Sequence, residues 1–285
     1  MKKLKAYYNL AKPGIVYGNL FTATAGYLFA SHFHHLTGLI WMLIGSALVV
    51  GGSCAINNVI DRDIDSKMER TKKRATVTGY ISTNNARNFG LILISLGCII
   101  LAVFNNLTTM YVALLGIFFY VIIYGVAKRR TPYSTMIGSV SGAIPPVIGY
   151  TAFSSSVDQG AMLLFFILVC WQMSHFYGIA LFRKKEYKAA GIMLWPIVKG
   201  DWSTQLQAMV FIALFTIFTL TVFIFGYTGF IYLVVMMIAG LGWLWYSISN
   251  ANKLNASEWG RKIFVSSLFV LVITCVALSL GPVLP

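Results

Sequence analysis

The sequence predicts an all-α, polytopic membrane protein of nine transmembrane helices, with its N-terminus in the cytoplasm and its C-terminus outside. Three observations carry this. The 285 residues are 58% hydrophobic and only 11% charged, against roughly 25% charged in an average soluble domain. A soluble fold of this size could not hide that much apolar surface, so part of its solvent must be lipid. Nine apolar stretches free of Lys, Arg, Asp and Glu recur along the chain, and crossing a bilayer takes roughly 20 such residues at about 1.5 Å each. Finally, all 22 basic residues fall in alternate connecting segments.

Taken in order, the first span, 14–33, follows a segment carrying Lys2, Lys3, Lys5 and Lys12. Its apolar run is too long for a cleaved signal peptide, and no A-x-A site closes it. The second, 37–58, leads into Arg62, Lys67, Arg70, Lys72, Lys73, Arg74 and Arg87. The third and fourth, 88–104 and 108–127, end on Lys128, Arg129 and Arg130. The fifth and sixth, 135–153 and 161–182, lead into Arg183, Lys184, Lys185, Lys188 and Lys199. The seventh and eighth, 207–226 and 228–249, precede Lys253, Arg261 and Lys262, and the ninth covers 263–281. The intervening loops (Ser31–Leu36, Asn105–Thr109, Ser154–Gly160 and the turn near Gly226) hold no Lys or Arg.

An excess of Lys and Arg marks the cytoplasmic loops, which fixes the orientation. The formal net charge of +14 is therefore mostly topology and does not indicate nucleic acid. Uniform composition, without linker or low-complexity stretch, predicts a single membrane domain over 1–285. The four cysteines, Cys54, Cys98, Cys170 and Cys275, all fall within spans and read as small packing residues rather than a disulfide or metal framework.

Polar chemistry collects at the cytoplasmic ends of three inward-running spans. Four of the eight acidic residues are Asp61, Asp63, Asp65 and Glu69. Asn57, Asp61, Asp65 and Glu69 recur every fourth position, so a second helix running on into the cytoplasm would stack them on one face. Like charges at that spacing repel unless a cation binds. Carboxylate and amide oxygens suit Mg²⁺, which usually takes one or two carboxylates plus substrate phosphates. The following Arg70, Lys72, Lys73 and Arg74 suit a diphosphate. The plainer alternative is a solvated helix end with pairs such as Asp63 with Lys67.

Tyr124 and Lys128, four apart at the end of the fourth span and followed by Arg129 and Arg130, form the second group; an aromatic-belt Tyr with an anchoring Lys would look the same. The third is His175, the one histidine deep within a span, roughly 10 Å in by helical rise. An ionisable group at that depth is a candidate functional residue, although a neutral His bonded to a neighbouring helix is the alternative. His32, His34 and His35 lie on the outer side, either as a wet interfacial loop or as an H-x-H-H metal or haem contact.

These residues resemble a known family. Asn57-x-x-x-Asp61-x-x-x-Asp65, within Asn57-Asn58-Val59-Ile60-Asp61-Arg62-Asp63-Ile64-Asp65, resembles the first motif of the UbiA-type intramembrane prenyltransferases. The stretch Asp61–Arg74 is similar to the branch of that family that farnesylates protohaem IX. So are Tyr124-x-x-x-Lys128-Arg129-Arg130-Thr131-Pro132, Gly142-Ala143-Ile144-Pro145-Pro146 with Gly149, and His175-Phe176-Tyr177 followed by Arg183 and Tyr187. The resemblance spans roughly 9–200.

It implies a nine-helix enzyme of the bacterial cytoplasmic (inner) membrane, working on the cytoplasmic side. The reaction would move the farnesyl group of farnesyl diphosphate to a vinyl group of haem b, giving haem O. Asn57, Asp61 and Asp65 would hold Mg²⁺ as cofactor. Arg70, Arg74, Lys128 and Arg129 would hold the diphosphate, Tyr124 would bond one of its oxygens, and His175 would ligate haem iron or place a water. Membrane lipid is the surroundings, and a haem A synthase or terminal-oxidase assembly is a candidate partner.

Two departures stand out. Relatives acting on aromatic quinone precursors carry a second D-x-x-x-D motif after the sixth helix, where this chain has only Glu186 and Asp201. The basic stretch reads Arg70-Thr71-Lys72-Lys73-Arg74-Ala75, without the family's closing Pro. Two rivals follow: prenylation of a quinone precursor, and a non-enzymatic multi-pass haem carrier. A carrier would place polar groups near the midplane, whereas here they gather on one face.

Overall fold

Backbone amides facing lipid must be satisfied within their own segment, so each apolar run folds as a helix. The computed structural model describes residues 2–285 and is all-helical among them. A short helix α1 (Lys2–Leu10) precedes α2 (Pro13–Ser31), α3 (Leu36–Ile60), the short α4 (Arg62–Asp65), α5 (Thr83–Phe104) and α6 (Leu107–Ile117). A π-helical stretch, Phe118–Ile123, joins α6 to α7 (Tyr124–Arg130). Then come α8 (Ser134–Gly142), α9 (Ile144–Ser154), α10 (Gln159–Phe182), α11 (Lys184–Ala189), α12 (Trp195–Val198), α13 (Asp201–Ile224), α14 (Phe230–Ala251) and α15 (Ala256–Leu280).

Eight helical segments are long and apolar enough to cross a membrane. They are α3, α5, the run Leu107–Arg130, the run Ser134–Ser154, α10, α13, α14 and α15. The first expected span forms the 19-residue α2, which carries Asn19, Thr22 and Thr24 and is not among those eight. Outward positions such as Ile224, Ile238, Trp245 and Phe269 are about 70% exposed, as a lipid-facing belt requires.

Three expectations change at the helix ends. Helices α5, α13 and α15 begin five to seven residues before the expected spans at 88, 207 and 263. The apolar window marks the hydrocarbon, whereas the helix continues to its polar start. That start is Ser82, accepting from the Asn85 amide, for α5 and Asn255, accepting from the Glu258 amide, for α15. The fourth span is not uniformly α-helical but passes through the π stretch. The fifth is broken at Ala143, because Pro145 and Pro146 open α9 and have no N–H to continue the ladder from α8.

Packing runs as a ring of neighbours: α2 against α9, α3 against α5, α10 against α13 and α15, and α15 back against α2. Small residues allow the closest approaches, as expected where lipid gives no hydrophobic drive between helices. A Cβ on Gly149 would lie 1.9 Å from the Ala23 carbonyl oxygen, and one on Gly26 would lie 2.0 Å from that of Pro146. The N-terminal end of α2 and the C-terminal ends of α3, α7 and α10 meet at one rim of the bundle, where the polar site forms.

Candidate active site

Helix α3 ends at Ile60, and Asp61 leaves helical geometry at φ −91°, ψ 4°. The expected continuous acidic face therefore stops short. Main-chain bonds from the Asp61 amide to Asn57 O (2.9 Å) and from the Asp65 amide to Asp61 O (2.8 Å) keep Asn57, Asp61 and Asp65 in line. Glu69 departs from the stripe. It is exposed and, among the described residues, pairs only with Lys72. The chain turns back beyond Asp65, with the Thr71 hydroxyl donating to Asp65 O at 2.9 Å.

Each of the three aligned residues meets a different cation. Lys12 Nζ donates to Asn57 Oδ1 at 2.9 Å. The Lys128 ammonium pairs with Asp61 Oδ1, both side chains being largely buried. Arg74 Nη1 donates to Asp65 Oδ2 at 2.5 Å. Arg129 forks onto Asp63, its Nη1 and Nη2 each 2.7 Å from a carboxylate oxygen, and Nη2 also donates to Ile60 O. In place of the Asp63–Lys67 pair of the plainer alternative stands a bidentate contact from another helix. That Arg129 hydrogen bond holds the Asp63 carboxyl down to about 2.

Lys12 and Tyr120 were not singled out from sequence. Lys12 counted only as a topological charge, although a lysine set immediately before Pro13 at the mouth of a span was the available signal. Its segment is tied down by Asn58, whose Nδ2 donates to Leu10 O at 2.8 Å. Burial pushes its ammonium down to about 8. Tyr120 stacks on Tyr124 with centroids 6.1 Å apart, both carried by the π stretch and the first turn of α7. The Lys128 ammonium lies 5.2 Å from the Tyr124 ring centre.

Not every sequence candidate joins this network. Arg70 is exposed and forms no ion pair among the described residues, lying within electrostatic reach of Tyr187. His175 is 9% exposed and belongs to the α10–α15 contact. Its Nδ1 is 2.7 Å from Ser267 Oγ, and its ring stacks on Trp171 at 4.8 Å. The Ser267 hydroxyl already donates to Phe264 O at 2.6 Å. With that hydroxyl proton on Phe264 O, Nδ1 carries the ring proton and donates, which leaves the Nε2 lone pair free. His32, His34 and His35 are exposed, and no group of three His, Cys, Asp or Glu gathers as a metal cluster among the described residues.

The donor set at the rim is two carboxylates and one amide oxygen. All three are hard oxygens and each already faces a cation, which fits Mg²⁺ bound jointly with phosphate oxygens. Around them Arg74, Lys128 and Arg129 offer charge-assisted donors to an anion.

The chain matches the model of the UbiA prenyltransferase family over residues 19–270. It is 40% identical over 280 residues to the protoheme IX farnesyltransferase of Aliivibrio salmonicida, covering 97% of this chain and 96% of that one. It is 41% identical over 285 residues to the protoheme IX farnesyltransferase of Blochmanniella pennsylvanica, covering 99% and 97%. A solved structure of digeranylgeranylglyceryl phosphate synthase shares the fold at TM-score 0.83 and 20% identity over 99% of both chains. A UbiA homolog from Archaeoglobus fulgidus bound to GPP and Mg²⁺ does so at TM-score 0.68 and 16% identity, covering 96% of this chain and 99% of that one. On the family match and the full-length identity together, this all-helical membrane chain belongs to the UbiA prenyltransferase family.

Proposed function

We propose that the chain transfers the farnesyl group of farnesyl diphosphate to a vinyl group of haem b, releasing diphosphate and giving haem O. The observation that carries this is its roughly 40% identity, end to end, to protoheme IX farnesyltransferases. The rim geometry supports it, with a short stripe of oxygen donors ringed by cations and walled by Tyr120 and Tyr124. One intramembrane domain over 1–285 with nine spans, N-terminus in and C-terminus out, in the bacterial inner membrane, would put this rim on the cytoplasmic side.

Asn57, Asp61 and Asp65 would hold Mg²⁺, which neutralises the diphosphate as a leaving group. Arg74, Lys128 and Arg129 bind the diphosphate oxygens, and Arg70 closes over them from its exposed loop. Tyr124 donates to one such oxygen. As the allylic C–O bond breaks, its electron pair leaves with diphosphate and positive charge develops on the farnesyl C1. The apolar and aromatic wall keeps water from that carbon. The vinyl π electrons then form the new C–C bond. The resulting porphyrin-side cation takes up water and loses a proton, which leaves a hydroxyl. His175 serves the haem side, where its free Nε2 accepts a water proton or ligates iron.

The test is incubation of membranes containing the protein with haem b and farnesyl diphosphate, with and without Mg²⁺, followed by chromatography of the haems. A new, more hydrophobic haem is expected only with Mg²⁺. Prenylation of a phenolic quinone precursor, with none of haem b, would overturn the proposal.

A further inference from the structure

Three cations occupy the three aligned donors one for one: Lys12 on Asn57, Lys128 on Asp61 and Arg74 on Asp65. Two of these pairings are between unlike charges and need no explanation beyond Coulomb attraction. The third sets an ammonium on a neutral amide oxygen, and the chain goes to some length to put it there. Lys12 has left-handed backbone geometry, φ 53° and ψ 66°, although a residue before proline favours extended conformations. The segment leading to it is held by two consecutive asparagines of α3, since Asn58 binds Leu10 O and Asn57 receives the ammonium. A charge needed only for topology would sit in water on a relaxed backbone, like Lys2, Lys3 and Lys5.

We propose that Lys12 is a diphosphate-binding residue that guards the metal position. With no substrate bound, its ammonium holds Asn57 Oδ1. When a divalent cation takes that oxygen, Lys12 loses its acceptor and is repelled. Its four-carbon stem then lets the ammonium turn to the diphosphate entering beside it. Lys12 thus opposes metal alone and favours metal with diphosphate. This coupling makes the site take up its metal together with substrate. The inference rests on the metal site proposed above, and its test separates the two.

Binding is measured on purified full-length protein with Mn²⁺ alone, by electron paramagnetic resonance, and with Mg²⁺ plus farnesyl thiodiphosphate, by calorimetry. Lys12→Met and Lys12→Gln should bind Mn²⁺ alone roughly three- to tenfold more tightly, because a nearby like charge is gone. The same variants should bind the Mg²⁺–thiodiphosphate about tenfold more weakly, having lost a charge-assisted hydrogen bond. Lys12→Arg should keep the wild-type direction of both. An unchanged or weakened Mn²⁺ affinity in the neutral variants, or an unchanged thiodiphosphate affinity, overturns the role of Lys12. Failure of both neutral variants to fold while Lys12→Arg folds would show that the charge serves the fold, and overturns it too. Wild-type Mn²⁺ binding in Asp61→Ala would instead overturn the metal site itself.

Discussion

The Lys128 ammonium rests on Asp61, joining the last turn of α7 to the residue at which α3 stops being helical. Both side chains are more than four-fifths buried, so removing either leaves the other away from water without this partner. Asp61→Ala should therefore do two things. Turnover should be lost, because the proposed Mg²⁺ site needs the Asp61 carboxylate. Stability should also fall by about 3–5 kcal/mol, the cost of leaving a buried charge unpaired. The double variant Asp61→Ala with Lys128→Met should recover much of the thermal midpoint and none of the activity. Normal turnover in Asp61→Ala would defeat the metal assignment.

Arg74 tests whether the fork matters or only the charge. It reaches back nine residues to Asp65 at 2.5 Å, with Asp65 almost fully buried. Lysine keeps the charge and loses the planar pair of donors. Arg74→Lys should raise the KM for farnesyl diphosphate about tenfold or more and leave the KM for haem b unchanged. Equal changes in both would place Arg74 in the fold rather than on the diphosphate.

How much of this was legible in the sequence depends on distance along the chain. Apolar runs are local, so eight of the nine expected spans were readable residue by residue. The Asn57, Asp61 and Asp65 line was readable because a four-residue spacing is itself helical geometry. Where the line ends was not, since Asp61 leaves helical geometry where its carboxylate meets Lys128 and Arg129 of another helix. The partners of these acids were equally hidden. Lys12 reaches Asn57 across 45 residues and Arg129 reaches Asp63 across 66, and such pairings exist only once α2, α3 and α7 have packed. The break at Ala143 was spelled out by Pro145-Pro146, yet the apolar run around it concealed it.

Asp63 gives the pH signature. Its carboxyl is held down to about 2, below the usual 3.8, chiefly by the hydrogen bond from Arg129. The folded state thus prefers the ionised form. The resulting stabilisation is complete above about pH 4 and is lost as pH falls toward 2. Because the Asp63 side chain is 61% exposed, solvent screening should keep it under about 1 kcal/mol. The thermal midpoint of the wild type should exceed that of Asp63→Asn at pH 6, and the gap should close by pH 2. A gap independent of pH would rule the ion pair out as its source.

Gly149 tests the packing that carries α2 and, with it, Lys12. A Cβ there would overlap the Ala23 carbonyl, a backbone atom that cannot rotate away. Gly149→Ala should lower stability by about 1–3 kcal/mol or more and weaken binding of farnesyl thiodiphosphate, since α2 must shift. A variant as stable as the wild type would show that α2 and α9 part easily.

His175 offers a test that leaves the diphosphate side untouched. Ser267 Oγ lies 2.7 Å from Nδ1 and 2.6 Å from Phe264 O, and with its proton on that carbonyl it accepts from Nδ1 and favours the tautomer with the Nε2 lone pair free. Trp171 and Phe264 hold the ring at 4.8 Å and 5.0 Å between centroids. A hydrogen bond of this kind raises the basicity of the opposite nitrogen, and its loss at metal-binding histidines costs roughly 10–100-fold in affinity. Haem b titrated into purified protein should therefore bind at least about tenfold more weakly to His175→Ala. Ser267→Ala should show a smaller loss, because the ring remains and only its tautomer is released. Both variants should bind farnesyl thiodiphosphate as the wild type does, since no hydrogen bond or ion pair links His175 to the acidic rim among the described residues. A haem spectrum and affinity unchanged in His175→Ala would return this histidine to the packing between α10 and α15.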